Sequence, residues 1–236
     1  MVVSISRPSQ DSLLVTPQVC QTRSVTTLVL ASTSPARLIL LRSGGIEPLT
    51  IAPGVDEDAV AQRANEMGLI SSVEDMVHIL AKAKAEAVAA LPEAAGALVI
   101  GCDSALEFAG EALGKPHEPQ VAIDRWMRMR GQNGTLHTGH WLIDNRVPVA
   151  GELSPATGVV RSSKVHFADL SDAEIETYVA TGEPLQVAGA FTIDGLGGAF
   201  IESIEGDSHT VVGLSLGALR EMVLSLGVEY TSLWNL

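Results

Sequence analysis

The chain has 236 residues, enough for one sizeable domain with a buried core or for two small ones. Its 15 basic and 28 acidic residues give a formal net charge of −13, which argues against general affinity for nucleic acid backbones. A site for a polyanion must then be local, built from a few placed Lys and Arg side chains with a divalent cation. No apolar run approaches a membrane span, although 46% of the residues are hydrophobic, and the two cysteines, Cys20 and Cys102, indicate neither a disulfide framework nor a cysteine zinc site. A reducing cytoplasm fits best.

In chain order, residues 1–25 lack a charged start followed by a long apolar stretch, so they read as a poorly ordered extension rather than a signal peptide. Residues 26–236 are expected to form one domain. TLVLA (Thr27 to Ala31) is the first strand, and a helix follows from Pro35 to about Arg42, closed by Gly44 and Gly45. PLTIAPGVDEDAV suggests a short strand leading into an acidic loop, and a helix runs from about Val73 to Ala90 with acidic residues first and Lys82 and Lys84 later, as the helix dipole prefers. ALVIGCDSALEF reads as a buried strand with Asp103 at its C-terminal end, GEALGKP as a turn, and Gln120 to about Met129 as a helix. Antiparallel strands are expected in HTGHWLID, NRVPVAG and VVRSSKVHFADL. Ser171 and Glu174 form a capping box for a helix that Gly182 ends, the glycine-rich GAFTIDGLGGAFIESIEG is strand-like, and GLSLGALREMVLSLG carries the last helix. Alternating strands and helices with late antiparallel segments indicate an α/β fold on a mixed sheet.

Chemistry concentrates first at ASTSPAR. Ser34 is a good N-cap and Pro35 suits the first helical position, so the free N–H groups of that turn, with Ser32, Ser34 and Arg37, could hold an anionic oxygen group. Asp103 closes a buried strand, where open α/β sheets bind ligands, and convergence with Glu57 would make a site for Mg²⁺ or Mn²⁺. Lys84 and Lys115 supply positive charge. GLSLG around Ser215 matches a nucleophile elbow, but no histidine follows that serine, so a structural turn is expected. His137 and His140, three residues apart on a strand, should face opposite ways and read as ordinary strand residues.

Together ASTSPAR, VDE (Val55 to Glu57), LAKAKA, GCDS with LGKP, and TGEPLQVAGAFTIDGLGGAFIESIEGD resemble the Maf family of nucleoside triphosphate pyrophosphatases, once described as septum-formation inhibitors. The resemblance implies a central mixed sheet flanked by helices, with two lobes around an active-site cleft, similar to inosine triphosphatases. It also implies hydrolysis of a nucleoside triphosphate to the monophosphate and pyrophosphate with a divalent cation. By position, Asp103 resembles the family's catalytic base and Glu57 its metal-side partner, both as metal ligands, while Ser32, Arg37, Lys84 and Lys115 match phosphate-binding positions. Ser34 and Ser104 join that substrate-binding set. Ala36, Ser104 and Asp194 depart from the commonest pattern, which leaves the preferred base open. Where thymidine- and uridine-directed members have glutamine, Asp194 only accepts hydrogen bonds and suits a guanine edge. Removal of modified nucleotides and a link to cell-division arrest follow from the same resemblance, with a non-catalytic nucleotide-binding regulator of septum formation as the alternative. Apolar faces on the late strands are compatible with a homodimer.

Overall fold

A computed structural model describes residues 25–147 and 154–235. The expected N-terminal extension, Cys20 and most of the expected NRVPVAG strand lie outside the described residues, and Asn145 to Val147 are not strand. Seven strands form one mixed sheet: β1 (Leu28–Ala31), β2 (Leu49–Thr50), β3 (Leu98–Phe108), β4 (Glu111–Leu113), β5 (Asn133–Asp144), β6 (Ala156–Phe167) and β7 (Ile201–Glu205). Their order is β2-β1-β3-β5-β6-β7, with β4 paired to β3; β1 runs parallel to both β2 and β3, and the later pairs are antiparallel.

Helices flank the sheet: α1 (Pro35–Ser43), α2 (Glu57–Glu66), α3 (Val73–Ala89), α4 (Pro119–Met129), α5 (Asp172–Ala180), α6 (Ser208–Val212) and α7 (Leu216–Ser225). The acidic segment expected as a loop is instead the start of α2. Asp56 caps it by accepting a hydrogen bond from the Ala59 N–H, and Glu57 and Asp58 occupy the first turn, where the helix dipole favours negative charge. The glycine-rich segment expected as strand is mostly short 3-10 turns, at Ala188–Ala190 and Leu196–Phe200, with only Ile201–Glu205 extended. Ser171 and Glu174 form the expected capping box.

Three apolar clusters pack against the sheet, and two of them share one strand face of β3. The first half of β3, Leu98, Ile100 and Cys102, packs with Leu41, Leu142 and Leu219, whereas Leu106 and Phe108 pack with Trp126, Phe167 and Tyr178. Ser104 on β3 and Thr138 on β5 lie between the two, while Asp103 points to the opposite face. Asp103 is therefore mid-strand, not at the strand's end as expected: the apolar run resumes at Ala105, and β5 stays paired beyond it. What ends near Asp103 is the neighbouring strand. β1 stops at Ala31 opposite Gly101, and β4 covers β3 only from Leu106, so this edge of β3 is open between them.

Glycine at two positions sets how closely α3 approaches. A Cβ at Gly101 would run into the Ala81 carbonyl, and one at Gly139 into the Val77 carbonyl. With hydrogen there, the α3 backbone lies directly on the sheet. Its buried stripe is Val77, Leu80, Ala81, Lys84, Ala85 and Val88, spaced as an apolar helix face. A lysine on that stripe must find its partners inside.

Candidate active site

Lys84 finds two. Its side chain is 8% exposed, and Nζ lies 2.6 Å from Asp103 Oδ1 and 2.9 Å from Glu57 Oε1. The start of α2 and the middle of β3 thus meet through one ammonium from α3. Burial pushes the Asp103 carboxyl above its ordinary range; Lys84 and Arg37 oppose the shift and Glu57 adds to it. Asp103 Oδ2 and Glu57 Oε2 accept no hydrogen bond from the described residues. The pair carries two negative charges against one positive, and all its donor atoms are oxygens, so it suits a hard cation that keeps several waters.

The adjacent residue looks the other way. Ser104 faces Arg37, which is buried and donates four hydrogen bonds: Nε to the Gly213 carbonyl at 2.7 Å, Nη1 to Ser32 Oγ at 3.1 Å and the Cys102 carbonyl at 2.9 Å, and Nη2 to Ser104 Oγ at 3.1 Å. Arginine has five N–H donors, so a single Nη2 N–H is left for anything else. Thr138 Oγ1 spends its proton on the Thr210 carbonyl at 2.8 Å, so the 2.9 Å contact between Ser104 and Thr138 has Ser104 as donor. Gly213 has φ +108°, and a Cβ there would crowd Arg37 Nε at 3.1 Å. Ser32 Oγ also accepts from the Ser34 N–H at 3.1 Å, and Ser34 caps α1 through the Arg37 N–H at 3.5 Å. Beyond this cap lies the open edge of β3.

Ser32, Ser34, Arg37 and Ser104 thus form one cluster and Glu57, Lys84 and Asp103 another, joined at the Asp103–Ser104 peptide. Lys115 and Asp194 join neither. Lys115 is exposed and makes no ion pair or hydrogen bond among the described residues, while its loop is braced by Arg125, which donates to the Gly114 carbonyl at 2.6 Å, and by the Gly189 N–H. Asp194 is exposed and accepts a hydrogen bond from the Thr192 hydroxyl. Its loop hangs on Glu183, whose carboxylate accepts from the Leu196 and Gly197 N–H groups, each at 2.9 Å, and from the Tyr178 hydroxyl at 3.0 Å. Thr138, Thr210, Gly213 and Glu183 are supporting residues that the motifs did not single out. Only the register of β5 against β3 places Thr138 opposite Ser104 and so on the same sheet face.

Ser215 has a structural part. It is buried, caps α7 by accepting from the Ala218 N–H at 3.0 Å, and donates its own N–H to His140 Nε2 at 2.8 Å. That bond makes Nε2 an acceptor and leaves the proton on Nδ1, which points at the Val159 carbonyl. Burial pulls the His140 pKa down to about 4. His137, on the opposite face of β5, meets Glu107 and Glu74.

The family described as Maf-like protein matches residues 27–226. A relative named nucleoside triphosphate pyrophosphatase from Leifsonia xyli subsp. xyli is 54% identical over 211 residues, covering 88% of this chain and 96% of its own. Proteins of the same name from Salinispora tropica and Cutibacterium acnes are 53% and 49% identical, with 88% and 89% of this chain covered and 87% and 95% of theirs. The solved structure of the Staphylococcus aureus Ham1 protein covers 84% of this chain and 91% of that one, at 13% identity and a TM-score of 0.37, too slight a likeness to carry an argument. The class among which the chain falls is thus that of nucleotide-hydrolysing enzymes. The chain belongs to the Maf family. Among the described residues no helix is long and apolar enough to cross a membrane.

Proposed function

We propose that the protein hydrolyses a nucleoside triphosphate between its α and β phosphorus atoms, releasing the monophosphate and pyrophosphate, with Asp103 as general base. The enzyme class rests on relatives about half identical over most of the chain. The observation that carries the residue assignment is the buried Asp103 carboxylate, held by Lys84 beside Glu57 at the open edge of β3. A carboxylate raised above its ordinary range is a stronger base than one in water, and Lys84 fixes one of its oxygens, leaving Oδ2 to take the proton of the attacking water. Glu57 and Asp103 are the residues that would hold a Mg²⁺ or Mn²⁺ ion, which when bound supplies charge neutralisation for the phosphoryl oxygens.

Phosphate binding falls to the first turn of α1 with Ser32 and Ser34, to the remaining N–H of Arg37, and to Lys115, whose exposed ammonium has no protein partner among the described residues. Lys84 stabilises charge from the carboxylate side. Asp194, an acceptor only, favours the N–H donors of a guanine edge, so purine or modified-base triphosphates are the substrates this reading selects. Removal of such nucleotides before polymerases use them is the role it fits.

A panel of purified nucleotides tests both levels. Pyrophosphate and monophosphate release with Mg²⁺ or Mn²⁺, abolished by chelator, is expected, with GTP and 7-methyl-GTP turned over faster than dTTP and UTP. The reverse order would remove Asp194 as the base reader. Nucleotide binding without any pyrophosphate release would favour the non-catalytic regulator.

A further inference from the structure

Outside that centre, three side chains with metal-ligating atoms meet on the α3 side of the sheet. Glu74 comes from the first turn of α3, Glu107 from β3 and His137 from β5, and one ligand atom from each lies within 4.8 Å of the other two. His137 Nε2 is 3.0 Å from Glu107 Oε2, and Nδ1 is 2.8 Å from Ser162 Oγ and 3.5 Å from Glu74 Oε1. The imidazole is 4% exposed, whereas the carboxylates are 47% and 40% exposed. A carboxylate flanks each ring nitrogen. A neutral imidazole has one N–H and one lone pair, so in either tautomer a lone pair lies beside a carboxylate, an arrangement that a cation turns from opposition into ligation.

We infer that Glu74, Glu107 and His137 form a second cation site, for Zn²⁺, with a water completing the tetrahedron. Two carboxylates and an imidazole are a nitrogen–oxygen set of the kind zinc takes, and a ring nitrogen disfavours Mg²⁺. Ser162 plays the outer part, accepting the Nδ1 proton and leaving the Nε2 lone pair for the metal. Ligand bonds of about 2.0–2.2 Å put donor atoms roughly 3.4 Å apart. The His137–Glu107 contact is already near that, whereas Glu74, which lies 3.5 Å from Nδ1 at the open groove, must rotate towards Nε2 to complete the set. Access is open as well, because both glutamates line a groove of about 450 Å³ with Ser72, Met76 and Gly110.

This site is not a partner ion for the catalytic centre. Glu107 is four residues past Asp103 on the same strand face, about 13 Å away. Glu74 is ten residues before Lys84 on α3, about 15 Å away. Ions that share one displacement reaction sit about 3.5–4 Å apart. The ion instead ties the first turn of α3 to β3 and β5.

The test separates this site from the proposed catalytic one by working in the Glu57→Gln/Asp103→Asn double variant. Zn²⁺ titrated into that protein is expected to bind at one equivalent, by calorimetry and by metal analysis after gel filtration. Saturation at a hundredfold excess over Kd should raise the melting temperature by roughly 5–10 °C. Adding His137→Gln, or separately Glu74→Gln at the more exposed position, should lower affinity at least tenfold and remove most of that shift, while a large excess of Mg²⁺ should not compete. Absence of Zn²⁺ binding in the double variant, or unchanged affinity in both triad variants, would overturn the inference. Neither outcome bears on nucleotide hydrolysis, which the wild type reports separately.

Discussion

Asp103 and Ser104 are neighbours in sequence and opposites in environment. On the α3 side, Asp103 belongs to an ionic group with spare capacity: one ammonium serves two carboxylates, and two carboxylate oxygens accept no hydrogen bond from the described residues. On the α1 side, Ser104 belongs to a nearly closed network in which Arg37 has spent four of its donors on carbonyl and hydroxyl oxygens. Both groups are charged and buried, yet they do different work. A saturated cation fixes backbone and hydroxyls in place, whereas an undersatisfied anion is poised to gain a proton or a cation. Alternation along a strand lets one dipeptide serve both ends.

Substitutions on each side should therefore break different properties. Arg37→Met removes four buried hydrogen bonds at once, two to carbonyls and two to hydroxyls, and the urea midpoint should report a loss of about 4 kcal/mol. A loss under 1 kcal/mol would mean that the network is not closed. His140 supplies the pH dependence of the same side. Its folded pKa, about 4, is below the ordinary 6.5, so its contribution to stability is present above pH 6.5 and is lost as pH falls towards 4. His140→Gln should flatten that slope by about 3 kcal/mol across the window, and equal slopes would remove His140 as its source. Smaller again is Ser215→Ala, which removes the α7 cap for about 1 kcal/mol and should leave hydrolysis intact. A folded but dead variant would restore a nucleophilic serine.

The Asp103 side has the contrary sign. Because burial raises its pKa, Asp103 contributes stability that is complete below the ordinary carboxylate pKa and is lost as pH rises through the raised value. Asp103→Asn abolishes that decline, so relative to wild type the variant should gain stability between acid and neutral pH, as melting curves would show. A decline of the same size in both proteins would contradict a strained carboxylate.

Much of this was legible in the chain. The Ser34–Pro35 helix start, the apolar β1 and the capping box at Ser171 rest on local chemistry, and they occur where the residues put them. The apolar run pauses at Asp103, which places that residue at a strand end by local pattern alone; strand length is set by β5, which no local pattern announces. The acidic start of α2 reads as a loop because three consecutive carboxylates look like a solvated turn, whereas the first of them caps a helix. Lys84 was legible in principle, since it sits in register with Val77, Ala81 and Val88 on a buried stripe. The partners of Arg37, by contrast, come from the turn after β1, from β3 and from the turn before α7, and no spacing in one sequence reveals that convergence. The same holds for Glu74, Glu107 and His137, where an ordinary strand histidine becomes a cluster only through the packing of α3.

The general-base role of Asp103 is tested by pyrophosphate release from Asp103→Asn against wild type, at saturating nucleotide and divalent cation, with the fold checked by melting. A kcat lower by about 10²–10⁴-fold is expected in a folded protein, with a wild-type rate that rises with pH as Asp103 loses its proton. Equal rates in the two proteins would contradict that role.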